Sequence, residues 1–105
     1  TVTLHYVEAG DPSAPLMVMV HGFPEFWYSY RFQIKEFADR YRVVAIDQRG
    51  YGESEKPANI EDYKLALLTG DIKELIHALG YDKAVVVGHD WGGIVSWWTA
   101  LMHPE

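Results

Sequence analysis

An α/β fold, with a mostly parallel sheet carrying helices on both faces, is predicted by two features of the sequence. Three short runs are apolar at every position: residues 16–20, 43–46 and 84–87. Such runs mark strands buried on both faces, which is how parallel strands sit. Stretches of helical periodicity lie between and after them, so strand and helix alternate as parallel crossovers require.

In chain order, residues 2–7 alternate in character and run into Glu8, Gly10, Asp11 and Pro12, a half-exposed outer strand closed by a turn. Residues 16–20 are the first buried strand, and residues 27–40 the helix after it. The strand at 43–46 leads to Gly50 and Gly52, read as a tight turn, with Asp47 and Arg49 as a buried hydrogen-bonding pair shaping it. A charged surface loop follows at 53–59. In the helix predicted at 61–79, Leu65, Leu68, Ile72, Leu75, Ile76 and Leu79 recur at three- and four-residue steps, and Gly80 supplies the stop. The strand at 84–87 reads as central. The last helix, 92–102, is apolar on most sides, with Trp97 and Trp98 expected in the core, and His103-Pro104 ends it.

The 105 residues carry nine Lys and Arg against fifteen Asp and Glu, a net charge of -6 that repels phosphate backbones, so no nucleic-acid partner is expected. Without cysteine there is no disulfide framework or thiolate metal site, and the charge runs lack metal-ligand spacing, so no metal or cofactor is expected. No apolar run approaches the roughly 20 residues needed to cross a bilayer, so this segment is not expected in a membrane. Location stays open between the cytoplasm and the endoplasmic-reticulum membrane.

The chemistry concentrates where the strand at 84–87 runs into Gly88-His89-Asp90-Trp91-Gly92-Gly93. This is the layout of a nucleophile elbow, G-x-S-x-G, in which the central residue stands on a strained strand-to-helix turn and glycines flank it to avoid clashes. Asp90 replaces the serine. A carboxylate attacks a carbon bearing a leaving group by displacement and leaves an ester between enzyme and substrate. Hydrolysing that ester builds an oxyanion that backbone N–H groups must stabilise. The candidate donors are Trp91, opening the next helix, and Phe23, in the loop His21-Gly22-Phe23-Pro24-Glu25. The Phe23-Pro24 bond is a candidate for the cis form.

Those two motifs, with Gly50-Tyr51-Gly52-Glu53-Ser54 between them, resemble the epoxide hydrolases of the α/β-hydrolase fold in order and spacing. The resemblance covers essentially the whole chain, so residues 1–105 are expected to form the N-terminal part of such a domain. It implies Asp90 as nucleophile, the backbones of Phe23 and Trp91 as oxyanion hole, and Trp27, Phe23, Pro24 and Trp91 as substrate-binding residues. The implied partners are a small-molecule epoxide and water. It also implies groups that this chain does not contain: a helical cap with two tyrosines, a late acid and a catalytic histidine.

No histidine present fills the last role. His103 lies about 20 Å along the last helix from Asp90, His89 points to the other side of the elbow, and His5, His21 and His77 precede the nucleophile, against the chain order of this fold. Tyr51 and Tyr63 do not match the cap tyrosines. Taken alone, an Asp after a strand is also a helix N-cap; the flanking motifs favour the nucleophile. Two alternatives stay open: a haloalkane dehalogenase using the same Asp, and a non-catalytic fragment or interaction protein. Such dehalogenases often place Asn where Phe23 stands. Alone, the chain is expected to expose the free edge of its last strand and to aggregate.

Overall fold

A computed structural model describes residues 3–23 and 26–102. Four strands, β1 (Tyr6–Ala9), β2 (Leu16–Val20), β3 (Arg42–Ile46) and β4 (Val85–Gly88), form one sheet in the order β1-β3-β2-β4. β2 pairs in parallel with both β3 and β4, Val18 standing opposite Val44 and Val86, whereas β1 runs antiparallel along β3. Among the described residues three α-helices accompany them: α1 (Arg31–Phe37), α2 (Leu65–Ala78) and α3 (Trp91–Met102). Among the described residues no helix is long and apolar enough to cross a membrane.

The two-residue period of the strands divides the core. Leu16, Val18, Val20, Val44 and Ile46 face α2 and α3 and pack on Leu68, Ile72, Ile76 and Val95. Met17, Met19, Val43 and Ala45 face the other way, onto Tyr30 and Ile34. Strands apolar at every position therefore have helices on both sides. The six-residue stripe expected of α2 packs as a unit into the first cluster. Gly80, at φ +88°, turns the chain at its end, and the Tyr81 N–H reaches back to the Ile76 carbonyl at 3.1 Å.

Three expected element boundaries need correction. The outer strand lies at Tyr6–Ala9, later than 2–7, whose first residue lies outside the described ones. Residues 3–5 instead bond to the loop after β3: Asp47 N–H to the His5 carbonyl, Glu55 N–H to the Thr3 carbonyl, and His5 N–H to Ser54 Oγ. The helix expected at 27–40 is a 3-10 turn at Trp27–Tyr30 followed by α1, because Tyr30 leaves the α-helical region at φ -97°, ψ 10°. α2 starts only at Leu65, since Lys64 is extended at ψ 147° and Ile60–Tyr63 is a separate 3-10 turn.

β4 has the free edge expected of it: among the described residues its one neighbour is β2, and Val85 is 45% exposed. The largest difference concerns α3. On α3 the buried positions are Gly92, Val95 and Thr99, while Ile94, Trp97, Trp98 and Leu101 form a second stripe, at the same three- and four-residue steps, that faces solvent. Trp97 is 78% exposed and is not a core aromatic here. An open edge beside an apolar stripe is a template for association. The 105-residue chain expressed alone is expected to elute as oligomers or aggregates, and Trp97→Glu with Leu101→Lys to shift it toward monomer. A monomeric wild-type chain with a sharp cooperative unfolding transition would contradict this.

Candidate active site

Asp90 sits between β4 and α3 at φ +58°, the one non-glycine residue with positive φ among those described. That conformation costs roughly 1–2 kcal/mol for an L-residue. It is held by its surroundings: the His89 N–H donates to the Val20 carbonyl at 3.3 Å, and Gly93 N–H and Ile94 N–H begin the α3 ladder on the Asp90 carbonyl. A Cβ on Gly88 would collide with the Gly92 carbonyl and Ser96 Oγ, and one on Gly92 with the carbonyl oxygens of Val20 and His21. A Cβ on Gly93 would meet only ordinary contacts at 3.8 Å, so Gly93, unlike the other two, is not required by space. Gly92→Ala is accordingly expected to destabilise the protein by about 1–3 kcal/mol or more, and Gly93→Ala to gain up to about 1 kcal/mol of helix propensity. Thermal unfolding of the two variants checks the opposite signs.

The Asp90 carboxylate is exposed. The Trp91 N–H, and second the Phe23 N–H at 3.2 Å from Oδ2, bond to it and hold its carboxyl below the usual carboxylate range; nearby His89 adds a smaller pull. The group is therefore an anion at neutral pH and well into the acid range. The two amides proposed as oxyanion donors thus meet on one carboxylate, although 67 residues separate Phe23 from Asp90.

An open cleft of about 490 Å³ fronts the carboxylate, lined by Phe23, Tyr51, Asp90, Trp91 and Ile94. Sequence reasoning missed Tyr51 and Ile94. Ile94 was accessible to it, standing four residues after Asp90 on α3 and hence on the same face. Tyr51 carried only the signal of a turn residue between Gly50 and Gly52, both at positive φ. Its ring stands edge-on to His21 (centroids 4.8 Å) and Phe23 (6.3 Å). Burial, then the charge of Asp90, push its phenol up, so it presents a neutral hydroxyl to the cleft. A larger hollow, about 600 Å³, runs along the open edge of β4 past Lys73, His77 and Trp97 and does not include Asp90.

Trp27 is not brought to the cleft. Its N–H donates to Asp47 Oδ1 at 2.8 Å, and its ring packs edge-on to Phe26 and Tyr28 and against the second core cluster. Pro24, Glu25 and His103 lie outside the described residues. Asp47 and Arg49 are both buried but do not pair with each other. Asp47 takes His5 Nδ1 at 2.8 Å, Trp27 N–H, and Glu53 N–H at 3.1 Å. The left-handed Gly52 backbone lies so close to that carboxylate that only glycine leaves it room. Arg49 instead makes a two-pronged pair with Asp71 on α2, at 2.8 and 2.9 Å.

Comparison with known proteins places these features in context. A family model described as alpha/beta hydrolase fold matches residues 15–105. Epoxide hydrolase 1 of Caenorhabditis elegans is 61% identical over 104 residues, 99% of this chain and 26% of that protein. The crystal structure of epoxide hydrolase A from Mycobacterium thermoresistibile superposes with a TM-score of 0.96 at 49% identity, over 98% of this chain and 33% of its own. A mutant epoxide hydrolase from Bacillus megaterium, complexed with its product, a naphthyloxy-propane-1,2-diol, gives 0.94 at 43%, over 98% of this chain and 36% of its own. The chain thus spans about a quarter to a third of the length of these relatives.

Proposed function

The chain belongs to the α/β-hydrolase fold family, and on that premise we propose that the protein carrying it is an epoxide hydrolase, opening epoxides to vicinal diols, with residues 1–105 as the N-terminal part of its catalytic domain. The observation that carries this reading is the identity and setting of Asp90: a carboxylate at the centre of an elbow, at φ +58°, with the Phe23 N–H 3.2 Å from its Oδ2. The family resemblance and the epoxide hydrolases among the relatives support the substrate class.

That geometry supports the following reaction. The Phe23 N–H engages Oδ2, so Oδ1 is the oxygen that attacks an epoxide carbon. The carbon–oxygen bond of the ring breaks, the ring oxygen takes a proton from an acid outside these residues, and Asp90 becomes an alkyl ester with Oδ2 as its carbonyl oxygen. Water, losing a proton to a base outside these residues, adds to the carbonyl carbon. Charge then grows on Oδ2, where the Phe23 N–H already points, and the Trp91 N–H supplies the second donor. One such donor is worth about 10²- to 10³-fold in rate. Collapse of the tetrahedral intermediate releases the diol and restores Asp90. The test is turnover by the full-length protein with a terminal epoxide and with a chloroalkane. Diol formation is expected; halide release without diol would make it a dehalogenase.

A further inference from the structure

Building on that reading, we propose that Gln48 is a positioning residue, which fixes the His21–Gly22 peptide next to the one whose Phe23 N–H points at Asp90. The loop carrying this amide leaves β2 at His21 and ends at Trp27, and two consecutive residues beyond β3 hold its two ends. Upstream, the Gln48 side-chain amide donates to the His21 carbonyl at 2.9 Å, and the Gln48 backbone N–H donates to His21 Nε2 at 3.0 Å. Downstream, Asp47 Oδ1 accepts the Trp27 N–H at 2.8 Å.

The upstream grip is buried, His21 at 0% and Gln48 at 3% exposure. A backbone N–H can only donate, so His21 Nε2 is the acceptor and the ring proton sits on Nδ1, which donates to the Gly22 carbonyl at 2.9 Å. His21 is therefore a neutral structural imidazole whose Nδ1 braces the Gly22–Phe23 peptide through its carbonyl and whose Nε2 is anchored to the Gln48 backbone. The His21 carbonyl that Gln48 holds is also the oxygen against which Gly92 packs. Gln48 thus ties the loop bearing one donor to the helix start bearing the other. It does not line the cleft itself, so any effect on chemistry passes through the Phe23 amide. Misplacement by about 1 Å is enough to cost up to 10²-fold in rate.

The test uses the full-length protein. Gln48→Met keeps the side-chain length and the backbone bond to His21 but deletes the donor to its carbonyl; Gln48→Glu is a second variant of the same shape. In each, kcat for diol formation is expected to fall about 10- to 100-fold and KM to fall with it, leaving kcat/KM nearly unchanged, because the slowed step is hydrolysis of the ester. The ester intermediate should accumulate, because the amide serves its hydrolysis. The Asp90 carboxyl, followed by NMR, should titrate closer to the ordinary value of about 3.9. A wild-type protein that makes no diol overturns the functional reading alone, since the NMR titration needs no turnover. A folded variant with unchanged kcat and an unchanged Asp90 titration overturns the positioning role. Failure of both variants to fold also overturns it, by assigning Gln48 to folding alone.

Discussion

Asp90→Asn in the full-length protein is expected to lower diol formation by about 10⁴-fold or more, the scale on which covalent nucleophiles act. Asn is the informative replacement because it tolerates the left-handed backbone that Asp90 adopts at φ +58°, whereas Ala there would add strain to the loss of chemistry. The amide keeps an oxygen for the Phe23 and Trp91 donors but has no charge with which to displace a ring oxygen. Quenched single turnovers supply the direct readout. Wild-type protein should gain the mass of the epoxide at Asp90, and the variant should gain nothing. A variant retaining a tenth of the wild-type rate would remove Asp90 from the reaction and leave it as a helix cap.

The second large effect is structural. Arg49→Met is expected to destabilise the protein by about 3–5 kcal/mol, because it strands a buried carboxylate. Arg49 and Asp71 are only 6% and 9% exposed, and their pair ties the turn after β3 to α2. Even with Arg49 present, burial pushes the Asp71 carboxyl up against the pull of the guanidinium; without it the push is unopposed. A carboxyl raised in the folded state binds more protons there than in the unfolded chain, so stability falls as pH rises above the unfolded value of about 3.9. The deficit of Arg49→Met should therefore be greater at pH 8 than at pH 5. Adding Asp71→Leu, which removes the stranded charge, should recover most of it. Urea unfolding at the two pH values measures both effects; a deficit below about 1 kcal/mol that ignores pH would mean the pair is solvated.

What the sequence by itself determined is what depends on near neighbours. β2 was legible to the residue because five consecutive apolar positions admit no other buried strand of that length. The stripe of α2 followed from its 3.6-residue period, and the elbow from glycines at 88 and 92, where the backbone has no room for a side chain. Phe23 and Trp91 entered through motif resemblance, and their convergence on Asp90 needed the fold.

Only the tertiary structure decided the rest, since each part depends on a residue distant in the chain. The Trp27 N–H bonds to Asp47, 20 positions away, which fixes the start of its 3-10 turn against the end of β3. Arg49 chose Asp71, 22 positions on, over the neighbouring Asp47. Tyr51 reached the cleft because the glycine turn after β3 sets it against the loop after β2. Ile94, Trp97, Trp98 and Leu101 carry a helical stripe as regular as the buried one. Periodicity marks both faces of α3 as apolar, and only the packing of β2, β4 and α2 against Gly92, Val95 and Thr99 selects the one that is buried.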